Sequence, residues 1–217
     1  MTVSYIEFAK EYIEKQDIGI PIYSTDISNY MAEKYGISLK KSKSAVSVVL
    51  NRIMKGNLIP ELRFYKNGIY FRTAMTAFGE VTINKEKLIE DKYLKNDSGY
   101  ETGLTLLHKL GLTSQMPNKR TIATNRAKDC ARYDKRLGLV VQPPKIIINA
   151  ANKQYLEILD VLDSLDDAPI DADEPYKIIG NCIGSLNLKY DILLALANNH
   201  YNRKTVLHLA HVAGECL

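Results

Sequence analysis

Residues 38–55 read SLKKSKSAVSVVLNRIMK, and Gly56 follows them. Wound at about 100° per residue, the segment puts Val46, Val49, Leu50 and Ile53 on one side. Lys40, Lys41, Ser44, Ser47, Val48, Asn51 and Lys55 fall on the other. The spacing therefore predicts an amphipathic helix that Gly56 stops. Immediately downstream come Leu62-Arg63-Phe64-Tyr65, then Lys66-Asn67-Gly68, then Ile69-Tyr70-Phe71. Two β-prone runs around Asn-Gly predict a hairpin with a type I′ turn, whose left-handed residues Asn and Gly tolerate.

Charge is sorted along this region. Residues 38–72 hold eight basic side chains (Lys40, Lys41, Lys43, Arg52, Lys55, Arg63, Lys66 and Arg72) against one acid, Glu61. The 37 residues before them lean the other way, with Lys10, Lys15 and Lys34 against Glu7, Glu11, Glu14, Asp17, Asp26 and Glu33. The net charge of the chain is only +4, so its distribution says more about partners than its sum.

Upstream, Ser4-x-x-Glu7 has the form of a capping box. Tyr5, Phe8, Ala9, Tyr12 and Ile13 then make one buried helical stripe. Residues 17–21 break that helix. Ser24 or Thr25 caps a second helix, with Ile27, Tyr30 and Met31 inward and Gly36 at its end. Three helices and a hairpin, with the cations on the third helix, predict an N-terminal winged helix-turn-helix over residues 1–79. A solvated basic face is the plain alternative, and winged helices also dock proteins. DNA is favoured because short side chains such as Ser44, Ser47 and Asn51 reach base edges while lysines meet phosphates.

Phe78-Gly79 reads as a hinge, followed by a mixed α/β C-terminal domain over residues 80–217, an α+β chain overall. Helices are expected over residues 84–94 and 100–110. Strands are expected at 121–124, 139–141 and 145–148, with Pro143-Pro144 between the last two. Distal helices are marked by Tyr155, Ile158, Leu159 and Leu162, and by residues 190–197 and 205–213. Lys119, Arg120, Arg126, Lys128, Arg132, Lys135 and Arg136 form a basic block, read as solvated surface, an extension of a nucleic-acid footprint, or a face for an acidic partner. Residues 157–174 form an acidic one, without the cage a divalent ion needs.

At 217 residues the chain has room for two small domains, and 46% hydrophobic content is that of an ordinary soluble protein. No apolar run approaches the roughly 18 residues of a membrane span, and the N-terminal stretch lacks the apolar centre of a signal peptide. Cys130, Cys182 and Cys216, odd in number and far apart, point to a reducing cytoplasm.

Chemistry-bearing motifs are sparse, and no catalytic, cofactor or metal residues are expected. There is no Gly-rich phosphate loop. Gly184-Ser185 with Asp191 has a faint nucleotidyltransferase look, but Ile192 stands where a second carboxylate should hold paired metals. His200, His208, His211 and Cys216 lack the tight paired spacing of a zinc site and interleave with core-type residues.

Three segments are specific in combination. They are Gly68-Ile-Tyr-Phe-Arg72 with Phe78-Gly79, Gly99-Tyr-Glu-Thr-Gly-Leu104, and Leu110-Gly-Leu-Thr-Ser-Gln-Met-Pro-Asn-Lys119. Together they resemble the AbiEi-type antitoxin family of bacterial abortive-infection (type IV) toxin–antitoxin systems. The matched positions are Gly68, Tyr70, Arg72, Phe78, Gly79, Gly111, Leu112, Thr113, Gln115, Pro117 and Asn118. The likeness runs from about Asp26 to Asn125 and becomes indistinct beyond Ile148.

The resemblance implies a repressor of its own operon, binding inverted repeats of double-stranded promoter DNA. It also implies an antitoxin that counteracts a nucleotidyltransferase toxin without requiring a stable complex. Gln115, Asn118, Lys119 and Arg120 are then candidate antitoxin contacts, or else parts of a structural corner made by Gly111 and Pro117-Asn118. For the N-terminal unit the expected mechanism lays residues 40–55 in the major groove. Ser44, Ser47 and Asn51 approach bases, Lys40, Lys41, Lys43, Arg52 and Lys55 approach phosphates, and Arg63, Lys66 and Asn67 form a contacting wing. The alternatives are a protein-docking winged helix and a ligand-sensing transcription regulator.

Overall fold

Ser4 Oγ accepts the Ile6 amide while the Glu7 carboxylate accepts the Ser4 amide, and this capping box opens helix α1 (Tyr5–Glu14). The computed structural model describes residues 4–215 of a mixed α and β chain. It divides into two compact units, Met1–Leu88 and Ile89–Leu217.

In the first unit α1 buries Phe8, Ala9 and Ile13, whereas Tyr5, expected in that stripe, stays exposed. A two-residue strand β1 (Ile22–Tyr23) leads straight into α2 (Ser24–Tyr35). The residue at the cap is Tyr23, which makes no side-chain cap bond, so neither Ser24 nor Thr25 caps this helix. The Ser24 amide is instead satisfied by the Gly68 carbonyl at 2.8 Å, a bond that ties α2 to the hairpin. Ile27 and Met31 are buried, but Tyr30 is half-exposed and lies beside Phe8 at 5.3 Å.

Helix α3 (Leu39–Lys55) begins where Ser38 Oγ accepts the Lys41 amide. Strands β2 (Leu62–Lys66) and β3 (Ile69–Arg72) form the expected hairpin, and β1 adds to β3 to give the antiparallel order β1-β3-β2. Of the two turn residues only Gly68 has a positive φ, +77°, so the turn is not type I′. A register shift between Phe64 and Lys66 takes up the difference. Any Cβ at position 68 would lie 2.9 Å from Ser24 Oγ, which leaves glycine as the residue that fits.

The unit's core gathers Phe8, Ala9 and Ile13 of α1, Ile22, Ile27 and Met31, and Val46, Val49, Leu50 and Ile53 of α3. A second hairpin, β4 (Met75–Thr76) with β5 (Gly79–Glu80), follows. Of the expected hinge pair, Phe78 lies in the turn of this hairpin and Gly79 opens β5, and the division into compact units falls between Leu88 and Ile89, within α4 (Lys85–Ile89).

In the second unit a wide π-turn, Glu90–Leu94, precedes a four-stranded sheet. Its strands are β6 (Gly99–Thr102), β7 (Arg120–Thr124), β8 (Arg132–Asp134) and β9 (Leu139–Gln142), in the order β6-β7-β9-β8. β7 and β9 are parallel and the other pairs antiparallel. Residues 100–110 are therefore not one helix: β6 ends at Thr102, Gly103 follows it, and only α5 (Leu104–Lys109) is helical. Residues 145–148 form no strand either. Pro143 and Pro144 lack amide donors, and Ile148 is held by Asn125, whose side chain bonds both its amide and its carbonyl.

Helices α6 (Lys153–Ser164), α7 (Pro175–Ser185), α8 (Tyr190–His200) and α9 (Arg203–Glu215) complete the unit. Of these, α7 was not foreseen; Pro175 at its first turn marks its start. Leu159, Leu162, Ile179, Ile183, Leu193, Leu209 and Val212 form the centre of a helical core that α5 joins through Leu107. No helix among the described residues is long and apolar enough to cross a membrane.

Candidate nucleic-acid interface

The inward stripe of α3 is Ser42, Val46, Val49, Leu50 and Ile53, all buried, which fixes the rotation of the helix. With that side anchored, Lys40, Lys41, Lys43, Ser44, Ser47, Val48, Asn51, Arg52 and Lys55 are all exposed. None of the five cations in that set makes an ion pair among the described residues. The hydroxyl of Ser44 donates to the Lys40 carbonyl at 3.1 Å and keeps its capacity to accept. The result is a run of free positive charge and short polar groups on one cylinder, open to an external polyanion.

The hairpin contributes less than its charge count suggests. Lys66 and Asn67 are exposed at its tip. Arg63 is exposed too, but its Nε and Nη2 both engage Glu80 at 2.9 Å and its Nη1 donates to the Pro60 carbonyl at 2.7 Å. Arg72 faces inward and clamps the unit. Its Nη1 donates to the carbonyls of Glu14 and Gln16 at 2.6 and 2.8 Å, and its Nη2 meets Glu61 at 2.8 Å. The Glu61 amide and the Arg72 guanidinium together hold that carboxyl below the usual range.

In the second unit, Gln115, Asn118 and Lys119 are exposed, with the Lys119 ammonium 4.6 Å above the Tyr133 ring. Arg120 is half-buried and bound to Glu101, which Lys109 also reaches. Gly111 sits at φ +72°, Thr113 Oγ1 accepts the Gln115 amide, and the Asp171 carboxylate accepts the Ser114 amide at 3.0 Å. These bonds hold the backbone of Ser114 and Gln115 beside Thr113 and Asp171. Lys119, Arg126, Lys128, Arg132, Lys135 and Arg136 carry no ion pair among the described residues, whereas several acids of the acidic block are used internally.

Two of the histidines, His208 and His211, are tied into local structure. His208 Nδ1 lies 2.8 Å from the Tyr176 hydroxyl and its Nε2 3.1 Å from Asp166, while His211 stacks on Tyr176. No group of ligating side chains that could hold a metal ion is present among the described residues, and Cys216 lies outside them. A buried polar centre is Asp160, whose carboxylate accepts from Tyr100 at 3.0 Å, Thr102 at 2.7 Å and Tyr201 at 2.8 Å.

Two residues of the candidate interface escaped site assignment from sequence. The helical angle puts Val48 on the outer face, where an apolar residue amid polar ones is the signal. Glu80 gave none, because its partner Arg63 is 17 residues away. No known protein-family model matches the chain, and no curated protein matches it.

Proposed function

We propose that the chain is a DNA-binding repressor whose first unit is a winged helix-turn-helix, with α3 as recognition helix and the β2–β3 hairpin as wing. The observation that carries this reading is the outer face of α3, where Lys40, Lys41, Lys43, Arg52 and Lys55 are exposed around Ser44, Ser47 and Asn51 and make no ion pair among the described residues. A helix of this diameter fits the major groove, where Asn and Ser reach base edges and the lysines meet the strands on either side. Lys66 and Asn67 extend the contact from the wing, and Arg63 joins them only by leaving Glu80.

The likeness of the Gly68–Arg72, Phe78-Gly79 and Gly111–Asn118 motifs to AbiEi-type antitoxins extends the proposal. On that basis the protein acts in the bacterial cytoplasm, represses its own operon and counteracts a nucleotidyltransferase toxin. Fluorescence anisotropy on the DNA upstream of its gene tests the first part. Five to seven neutralised phosphates give a log–log salt slope of roughly −4 to −6, and a slope near zero rejects the reading. Co-expression with a nucleotidyltransferase encoded beside it tests the second: growth is rescued by the antitoxin and not by an empty vector.

A further inference from the structure

Val48 is 51% exposed at the middle of the α3 outer face. At i−4, i+3 and i+4 along the helix it is bordered by Ser44, Asn51 and Arg52, and Ser47 precedes it. A β-branched residue gains nothing on a solvated helix face, since its helix propensity is below that of the lysines around it. Nor is it an isolated apolar group. On the α1 side it borders an open groove with Tyr5, Ile6 and Ala45. The basic and polar ring says what covers this spot in the proposed complex: a duplex held by its phosphates, with base edges at the centre.

Major-groove base edges carry one apolar group, the 5-methyl of thymine. We infer that Val48 is a thymine-reading residue, its isopropyl group packing on that methyl while the neighbouring Asn51 takes an adenine. The spacing suits this pairing. Side chains at i and i+3 lie about 5–6 Å apart, so the two residues span one or two adjacent base pairs. Bidentate bonding of an Asn amide to adenine N6 and N7 leaves the methyl of a neighbouring thymine for the valine. The inference rests on the DNA-binding reading above and adds what that reading does not specify: A·T pairs beneath the centre of the helix.

The test uses the full chain. Duplexes with a randomised core are selected by binding, and each thymine of the preferred sequence is then replaced singly by deoxyuridine. Uracil keeps every hydrogen-bonding group and lacks only the methyl. One position per contact should weaken about four-fold, the effect of withdrawing one buried methyl-sized group. V48A should bind thymine and uracil duplexes alike, and V48I should still prefer thymine. Because Val48 is exposed and alanine has the higher helix propensity, the circular dichroism of V48A should match the parent and its thermal midpoint should not fall. If uracil is silent everywhere while binding keeps its salt slope, or if V48A still prefers thymine, the inference falls and DNA binding stands. If no duplex binds with salt dependence, both fall.

Discussion

The hydroxyl of Ser42 donates a 2.6 Å hydrogen bond to the backbone carbonyl of Ser28, joining α3 to α2 in the core of the first unit. Both residues are buried, and the Ser28 hydroxyl turns back on the Ser24 carbonyl at 2.7 Å. A buried polar bond between the two helices helps to fix the rotation of α3, hence which side chains face out. Ser42→Ala should cost about 1 kcal/mol in urea unfolding, with an unchanged denaturant slope. Ser42→Val, which brings an extra methyl against the same carbonyl, should cost more. Equal stability of all three proteins would show that packing alone orients the helix.

Asp160 is the deepest acid of the second unit, with 8% of its surface exposed. Burial raises its pKa, and the hydroxyls of Thr102, Tyr201 and Tyr100 recover only part of that shift. A carboxyl whose folded pKa is raised contributes stability that is complete below about pH 4 and is lost as pH rises through the folded value. Asp160→Asn should therefore flatten the pH dependence of stability in that window while keeping partners for all three hydroxyls. Asp160→Ala strands them and should cost about 3 kcal/mol or more. Similar losses in both variants would mean the hydroxyls have no stake in this residue.

Asp134 runs the opposite way. Burial opposes its ionisation, but bonds from the Lys92 ammonium at 2.7 Å, the Tyr93 hydroxyl at 2.9 Å and the Leu137 amide bring its pKa down to about 2. A depressed carboxyl stabilises the fold above its ordinary value near 4 and stops doing so as pH falls towards 2. At face value that is roughly 2 kcal/mol; the half-open position of Lys92 reduces it to about 1 kcal/mol. Asp134→Asn should lose that amount at pH 7 and progressively less as pH falls from about 4 through 2. A loss independent of pH would assign the effect to shape rather than charge.

What could be read from the sequence follows the range over which each element is determined. The 3.6-residue period of α3 persists through 17 residues, so its rotation was legible before any partner was known. Asn67-Gly68 announced the hairpin because the turn is local, although the φ of Asn67 depends on the bulge beside it. Tyr100–Thr102 could not be read as a strand, since its ladder with β7 joins residues some twenty positions apart, and β7 itself pairs in parallel with β9. The β-branched run at 146–148 looked like a strand and finds no neighbour to pair with. The same distance rule governs the interface: cations are visible in the sequence, while the acids that occupy Arg63 and Arg72 are visible only after folding.

Glu80 supplies the last prediction. Its carboxylate holds Arg63 by two nitrogens at 2.9 Å, both side chains being nearly half exposed. An exposed pair of this kind is worth well under 1 kcal/mol to the fold, so breaking it should barely move the thermal midpoint. In the proposed complex, for a duplex approaching the β2–β3 hairpin the consequences are larger, because Glu80 both cancels a cation and presents a negative charge of its own. Glu80→Gln should strengthen binding to specific and random duplexes alike and steepen the salt slope by up to about 0.9, the share of one further phosphate. Arg63→Gln in the same background should return the slope to its starting value. If Glu80→Gln leaves affinity and slope untouched while Lys41→Ala weakens both, the duplex does not reach β2, and the contact is confined to α3.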